Sequence, residues 1–247
     1  MKLNIGNSTY FALNSSNKLR RIMIIRKFQV LSGSWLKVIA MIAMTIDHTA
    51  EFLPVIYQKS ELLYVLMRTI GRIAFPVFAF LVVESFIHTR NRKHYARNLL
   101  ITALISQVPW ALVHGSGAFW LHGNVCFTLL LGFLSLCILE KLKGNRQIIA
   151  LVAVFSVAYL LRVNYNFVGV GLILLLYVLR AHNGLRLLLG TCVIVQKYTI
   201  GVVTGFTLLA MYNGKRGFIN GPVGKYSFYA FYPLHLLFLF LLQSFKQ

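Results

Sequence analysis

Eight apolar runs, at roughly 35–54, 62–87, 97–113, 124–139, 147–161, 165–180, 186–212 and 226–243, occupy most of this 247-residue chain. Crossing the hydrocarbon core of a bilayer takes about 20 apolar residues. Most of the runs are near that length, and the fifth and sixth are short for independent spans. With 58% hydrophobic residues, 12% charged and a mean hydropathy of +0.71, a single soluble core is not expected. The sequence predicts an all-α, polytopic membrane protein with eight or nine transmembrane helices. The 186–212 run carries Lys197 in its middle, so it reads as one over-long helix or as a tight hairpin of two.

The formal charge of +20 would suit a nucleic-acid partner if the cations formed one patch. They sit instead in short segments between apolar runs, where they read as topology determinants and contacts to anionic lipids. No nucleic-acid partner is expected. The positive-inside rule then orients the chain: the N-terminus is cytoplasmic, the segment with Arg90, Arg92, Lys93 and Arg97 is inside, and the cation-free connection from His114 to Gly123 is outside. Residues 1–33 form a basic cytoplasmic lead-in, with an interfacial helix expected between Lys18 and Val30, and residues 34–243 form one membrane domain. The lead-in lacks the apolar stretch and small-residue cleavage site of a secretory signal.

Cys126, Cys137 and Cys192 lie in apolar stretches without CxxC spacing, so neither a disulfide framework nor a thiolate metal site is expected. The Asn-x-Ser/Thr triplets at Asn7 and Asn14 fall in the cytoplasmic lead-in and carry no weight. His114 and His122 bracket the outer connection together with Trp110 and Trp120. Two histidines without a third ligand do not make a metal site, and the tryptophans read as interfacial anchors. No metal is expected anywhere in the chain.

Of the five carboxylates, Asp47, Glu51 and Glu84 lie inside apolar runs. A charge at mid-bilayer depth costs at least about 2.5 kcal/mol unless it faces a partner or a wet cavity, so such a residue is a functional candidate. Asp47 and Glu51 share one helix face, as do Arg68 and Arg72 on the next span. Because these spans are antiparallel, Asp47 is expected to meet Arg72 and Glu51 to meet Arg68. Glu84 is expected to snorkel towards Arg90 or Lys93. His48 follows Asp47 directly, and neighbouring helical residues point about 100° apart. Asp47 is therefore expected to look to Arg72, leaving a ring nitrogen of His48 available as a base.

Pro76 and Pro233 lie within apolar runs, and each is expected to kink its helix and free a carbonyl. His235, two residues beyond Pro233, comes halfway along the last span and is expected at the depth of His48. Tyr212-Asn213-Gly214-Lys215-Arg216-Gly217 combines turn residues with two cations and suits a phosphate-bearing ligand or an ordinary cytoplasmic turn. Gly201 and Gly205 form a small-x-x-x-small step for close helix packing.

Taken in order, the strings Leu36–Met41 leading to Ile46-Asp47-His48, Gly71-Arg72-Ile73-Ala74-Phe75-Pro76 with His88-Thr89-Arg90-Asn91, Asn124-Val125 with Phe127-Thr128-Leu129, Tyr212–Gly217 and Phe228–His235 resemble the TraX family of conjugative-transfer membrane proteins. The resemblance covers about residues 34–243. It implies an integral membrane acetyltransferase of the bacterial inner membrane, with acetyl-CoA as donor and a pilin N-terminus as acceptor. The family is itself similar to a wider transmembrane acyltransferase group that includes heparan-alpha-glucosaminide N-acetyltransferase. Glu84-Ser85-Phe86 departs from the pattern of many members, which have a Gly after the Glu; the departure touches packing rather than chemistry.

On this analogy His48 is the general base, Arg72 orients Asp47, and His235 supports the oxyanion or shuttles the proton. Asn213, Lys215, Arg216 and Arg90 are the residues expected to hold acetyl-CoA at the cytoplasmic face. The acceptor is a protein amine, or the hydroxyl or amine of a glycan. A covalent acetyl-histidine route is the alternative mechanism. Two other classes compete: a proton-coupled transporter or flippase, which would show inverted repeats, and a noncatalytic assembly factor, which would tolerate a neutral residue at position 48.

Overall fold

Ser32 accepts a hydrogen bond from the Trp35 N–H (3.4 Å), which caps the helix Gly33–Phe52, here α1. The helix ends at Leu53 because the residue before a proline is pushed out of the α region. Pro54 then opens α2 (Pro54–Lys59), and Ser60 caps α3 (Glu61–Gly71) through the Leu63 N–H. The computed structural model describes residues 28–115, 122–194, 199–219 and 221–245. The lead-in up to residue 27, Trp120 and Lys197 lie outside them.

The described residues are all-α. After α3 come α4 (Ala74–His88), α5 (Arg92–Val113), α6 (Val125–Lys141), α7 (Gly144–Leu160), α8 (Asn166–Val178), α9 (Asn183–Ile194), α10 (Thr199–Ala210) and α11 (Gly221–Ser244). The 186–212 run is a hairpin of two helices, α9 and α10, rather than one long helix. Among the described residues, three segments are long and apolar enough to cross a membrane: Glu61–His88, which joins α3 and α4, Arg92–Val113 and Gly221–Ser244. Helices α7 to α10 are shorter but apolar, and α1 is 20 residues long with Lys37, Asp47 and Glu51 along it. Large apolar side chains on several of them, including Ile149, Leu160, Ile200, Val223 and Phe238, are more than half exposed. An apolar exterior of this kind fits a membrane protein.

The expected kink at Pro76 is displaced. The helix breaks at Arg72 and Ile73, and Pro76 falls in the first turn of α4. Proline lacks the N–H that would bond the carbonyl four residues back, and its ring clashes with that carbonyl, so the break forms one turn ahead of it, at Arg72. Pro233, by contrast, stays inside α11.

Two of the three packed regions among the described residues frame the site. The larger joins Val77, Phe80 and Phe86 of α4 to Phe133 and Leu136 of α6 and to Leu172, Ile173 and Leu176 of α8. The smaller joins Met44 and Phe52 of α1, Trp110 of α5, Cys126 of α6, and Tyr232, Leu236 and Leu239 of α11. Gly201 and Gly205 of α10 pack against the broken joint: a side chain at 201 would run into the Thr69 carbonyl, and one at 205 would meet the Ile73 carbonyl at 3.2 Å. The small-residue step is therefore a seat for the α3–α4 break.

Candidate active site

On the lower turns of α1 and α3 the four charged residues converge. Arg68 Nη1 lies 3.0 Å from Asp47 Oδ1 and 2.8 Å from Glu51 Oε2, and Arg72 Nη2 lies 3.4 Å from Asp47 Oδ1. Both expected pairs exist, but they are not separate, because Arg68 bridges the two carboxylates. The helices come close enough for this because Gly71 faces Asp47, whose Cβ and carboxyl fill the space that any side chain at 71 would need. The Asp47 side chain is 13% exposed and that of Glu51 35%, so the network grades from buried to accessible.

His48 is 6% exposed and His235 8%. Nδ1 of His48 lies 2.7 Å from Nε2 of His235, and Nδ1 of His235 lies 3.0 Å from the Phe231 carbonyl oxygen. The ring planes agree within 5° and the centroids are 5.0 Å apart, a spacing that one ring nitrogen meeting the other accounts for, so the imidazoles lie end to end. A carbonyl can only accept, so the His235 Nδ1 carries a proton. In the neutral pair His235 Nε2 then accepts from the His48 Nδ1–H, and His48 Nε2 is left with its lone pair. Around the pair stand Phe52, Trp110 and Tyr232, with ring centroids 5.5, 6.3 and 6.3 Å from that of His48.

Asp47, His48 and Glu51 each offer one ligand atom within 4.8 Å of the others. That triad could hold a cation, but the guanidinium of Arg68 already touches both carboxylates. A metal would have to displace it, and the donor set is better matched to arginine.

Trp110 is not an interfacial anchor. It is 7% exposed, and its indole N–H donates to the His122 carbonyl at 3.1 Å. Gln107 donates to the same carbonyl, and Asn124 bonds both Gln107 and the Ala103 carbonyl. Asn124 also caps α6 by accepting from the Cys126 N–H. This buried amide network pins the start of α6 beside the histidines. Glu84 likewise departs from expectation: it accepts from the Tyr212 hydroxyl at 3.0 Å and lies 3.5 Å from His88 Nε2, not on Arg90 or Lys93. Tyr212 reaches it from the far side of the chain.

At the other end of the molecule the Tyr212–Gly217 turn packs on the start of α1. Gly33 and Ser34 donate their N–H groups to the carbonyls of Lys215 and Arg216, and the Ser34 hydroxyl donates to Arg216 as well. Asn213 is occupied within the turn: its Oδ1 accepts from the Lys215 N–H and its Nδ2 donates to the Val30 carbonyl. It shapes the loop that presents Lys215 and Arg216. Lys215, Arg216 and Arg90 are exposed. Lys37, which sequence reasoning did not single out, lies over the Phe228 ring at 5.3 Å and within electrostatic reach of Arg216 in the turn.

A family model described as TraX protein matches residues 32–243. The chain belongs to the TraX family. The TraX match begins at the capping residue of α1 and ends within the last turn of α11, so it takes in both the histidine pair and the Tyr212–Gly217 turn. A relative named "Probable fimbrial assembly protein FimC, serogroup H1", from Dichelobacter nodosus, is 30% identical over 246 residues, covering 87% of this TraX chain and 97% of the relative. No solved structure matches.

Proposed function

We propose that this chain is a multi-pass membrane acetyltransferase that moves an acetyl group from acetyl-CoA to an acceptor amine, with His48 as general base. The observation that carries the reading is the end-to-end contact of His48 with His235, which leaves His48 Nε2 unprotonated in a TraX-family chain. Both nitrogens of His235 are engaged, so it serves as proton relay and tautomer lock for His48. Arg68 and Arg72 hold Asp47 on the face of α1 next to His48.

In the bilayer the chain crosses nine times, counting α3–α4 as one broken span, with its N-terminus in the cytoplasm by the distribution of cations. The membrane is the bacterial inner membrane, and the basic segments contact anionic lipids. Lys215, Arg216 and Arg90 then face the cytoplasm, where they meet the phosphates of acetyl-CoA. The acetyl group enters the helix bundle, and the acceptor approaches His48 from the opposite face. The amine attacks the thioester carbonyl, His48 Nε2 takes the amine proton, and collapse of the intermediate expels CoA as thiolate, which receives that proton. Family membership and the fimbrial assembly name of the relative favour a pilin N-terminus as acceptor.

The test is transfer of label from [14C]acetyl-CoA in membranes of a host that carries the acceptor. Wild-type protein should transfer label and His48→Ala should not, with equal membrane insertion. Equal transfer by both would end the role of His48. No transfer by either, with pilus assembly intact in both, would turn the reading to a noncatalytic assembly factor.

A further inference from the structure

Tyr232 is 5% exposed, yet its hydroxyl makes no hydrogen bond among the described residues. The omission is costly, because a buried hydroxyl left without a partner forfeits the water it gave up on folding. Its surroundings are not inert. The ring lies 5.4 Å from His235 and 6.3 Å from His48, centroid to centroid. The hydroxyl also approaches the backbone N–H of Val125, the first residue of α6, without the geometry of a bond. That N–H is one of the donors that a helix start leaves unpaired, since the capping side chain of Asn124 is spent on Cys126. Ser106, fully buried one turn before Trp110 on α5, is a second hydroxyl without a partner on this side of the molecule.

We propose that the Tyr232 hydroxyl and the Val125 N–H form the oxyanion site of the acetyl transfer. The inference rests on the acetyltransferase reading and adds a catalytic residue to it. When the amine attacks the thioester carbon, the carbon–nitrogen bond forms and the carbonyl π pair moves onto oxygen. Two donors then meet that charge, an O–H and an N–H at the positive end of α6. When the intermediate collapses, the oxygen returns its pair, the carbon–sulfur bond breaks, and the donors relax. Neither donor gains or loses a proton. This is the role that the histidines cannot fill: His235 has its only N–H on Phe231, and the His48 Nδ1–H is held by His235. A site with unspent donors in the ground state stabilises the transition state selectively, because no resident bond has to be broken to use them.

Tyr232→Phe removes one oxygen and leaves the ring. Turnover of [14C]acetyl-CoA should fall on the order of a hundredfold, with KM for acetyl-CoA unchanged within about twofold. The thermal midpoint in detergent should equal or exceed wild type, because an unpaired buried hydroxyl has been deleted. Wild-type turnover in Tyr232→Phe overturns the oxyanion site while the acetyltransferase reading stands. Lost turnover with a lowered midpoint overturns it too, since that marks a hydroxyl with a structural partner. If wild-type protein transfers no label above the His48→Ala background, the acetyltransferase reading itself falls, and the oxyanion site with it.

Discussion

Arg68 and Asp47 meet at 3.0 Å through the same Nη1 that lies 2.8 Å from Glu51. One guanidinium therefore balances two carboxylates, and the second arginine, 3.4 Å from Asp47, has a share in one of them. The two arginines are unequal, although they sit on one helix face and look alike in the sequence.

That inequality predicts that Arg68→Gln destabilises the protein more than Arg72→Gln. Losing Arg68 leaves Asp47 with the more distant Arg72 alone and strips the partly exposed Glu51 of its partner, at a solvent-screened cost on the order of 1 kcal/mol. Losing Arg72 leaves Asp47 still paired. Thermal midpoints in one detergent would decide it; equal losses would mean that Glu51 does not engage Arg68 in the bilayer.

The seat beneath the broken span predicts a graded response on α10. Gly201→Ala drives a methyl into the Thr69 carbonyl, whereas Gly205→Ala meets the Ile73 carbonyl at 3.2 Å and needs a shift of only a few tenths of an ångström. Overpacking costs about 1–3 kcal/mol, so Gly201→Ala should lower the yield of monodisperse protein and Gly205→Ala should lower it less. The opposite order would show that α10 does not rest on the joint.

For the Tyr212–Gly217 turn the structure separates shape from charge. Lys215→Gln combined with Arg216→Gln should raise KM for acetyl-CoA by roughly tenfold at low salt and leave kcat unchanged, since exposed cations act through screened attraction. Asn213→Ala should instead lower stability, because it removes the bonds to Lys215 and Val30. Steady-state kinetics at two ionic strengths would distinguish them; a salt-independent KM in the double variant and wild type alike would remove the turn from donor binding.

The charge distribution predicts that Arg90 and His122 face opposite sides of the membrane. In a cysteine-free background, Arg90→Cys should react with an impermeant maleimide from the cytoplasmic face only and His122→Cys from the outer face only. Reaction of both from one side would refute the crossing pattern on which a donor and acceptor from opposite faces depend.

Much of this arrangement is written in local sequence, and what is not has a physical reason. Counting residues along antiparallel helices is enough to bring Asp47 and Glu51 level with Arg68 and Arg72, because depth advances evenly along a helix. The same count sets His48 and His235 at one level, but their 2.7 Å contact depends on how α1 and α11 rotate about their axes, which packing alone decides. Lys197 in the middle of the 186–212 run leaves a long helix and a hairpin equally open in the sequence, and the two helices Asn183–Ile194 and Thr199–Ala210 decide for the hairpin. Trp110 is misread from sequence because a tryptophan near a span end usually anchors at the interface; its burial depends on the His122 carbonyl folding back over it. Glu84 is misread because its partner Tyr212 lies 128 residues away, and no local rule reaches that far. Tyr232 stands out only once its hydroxyl is seen to lack a partner.

The contact between Gly71 and Asp47 makes the history of these positions directional. A lineage that first places glycine at 47 opens the space in which residue 71 can acquire a side chain, since the Asp47 Cβ itself stands in the way. One that first adds a side chain at 71 must pass through a form in which two helices are forced apart and the arginines lose their seat. Substitution at the pair is thus a one-way path, and chains that differ at 71 are expected to differ at 47 already.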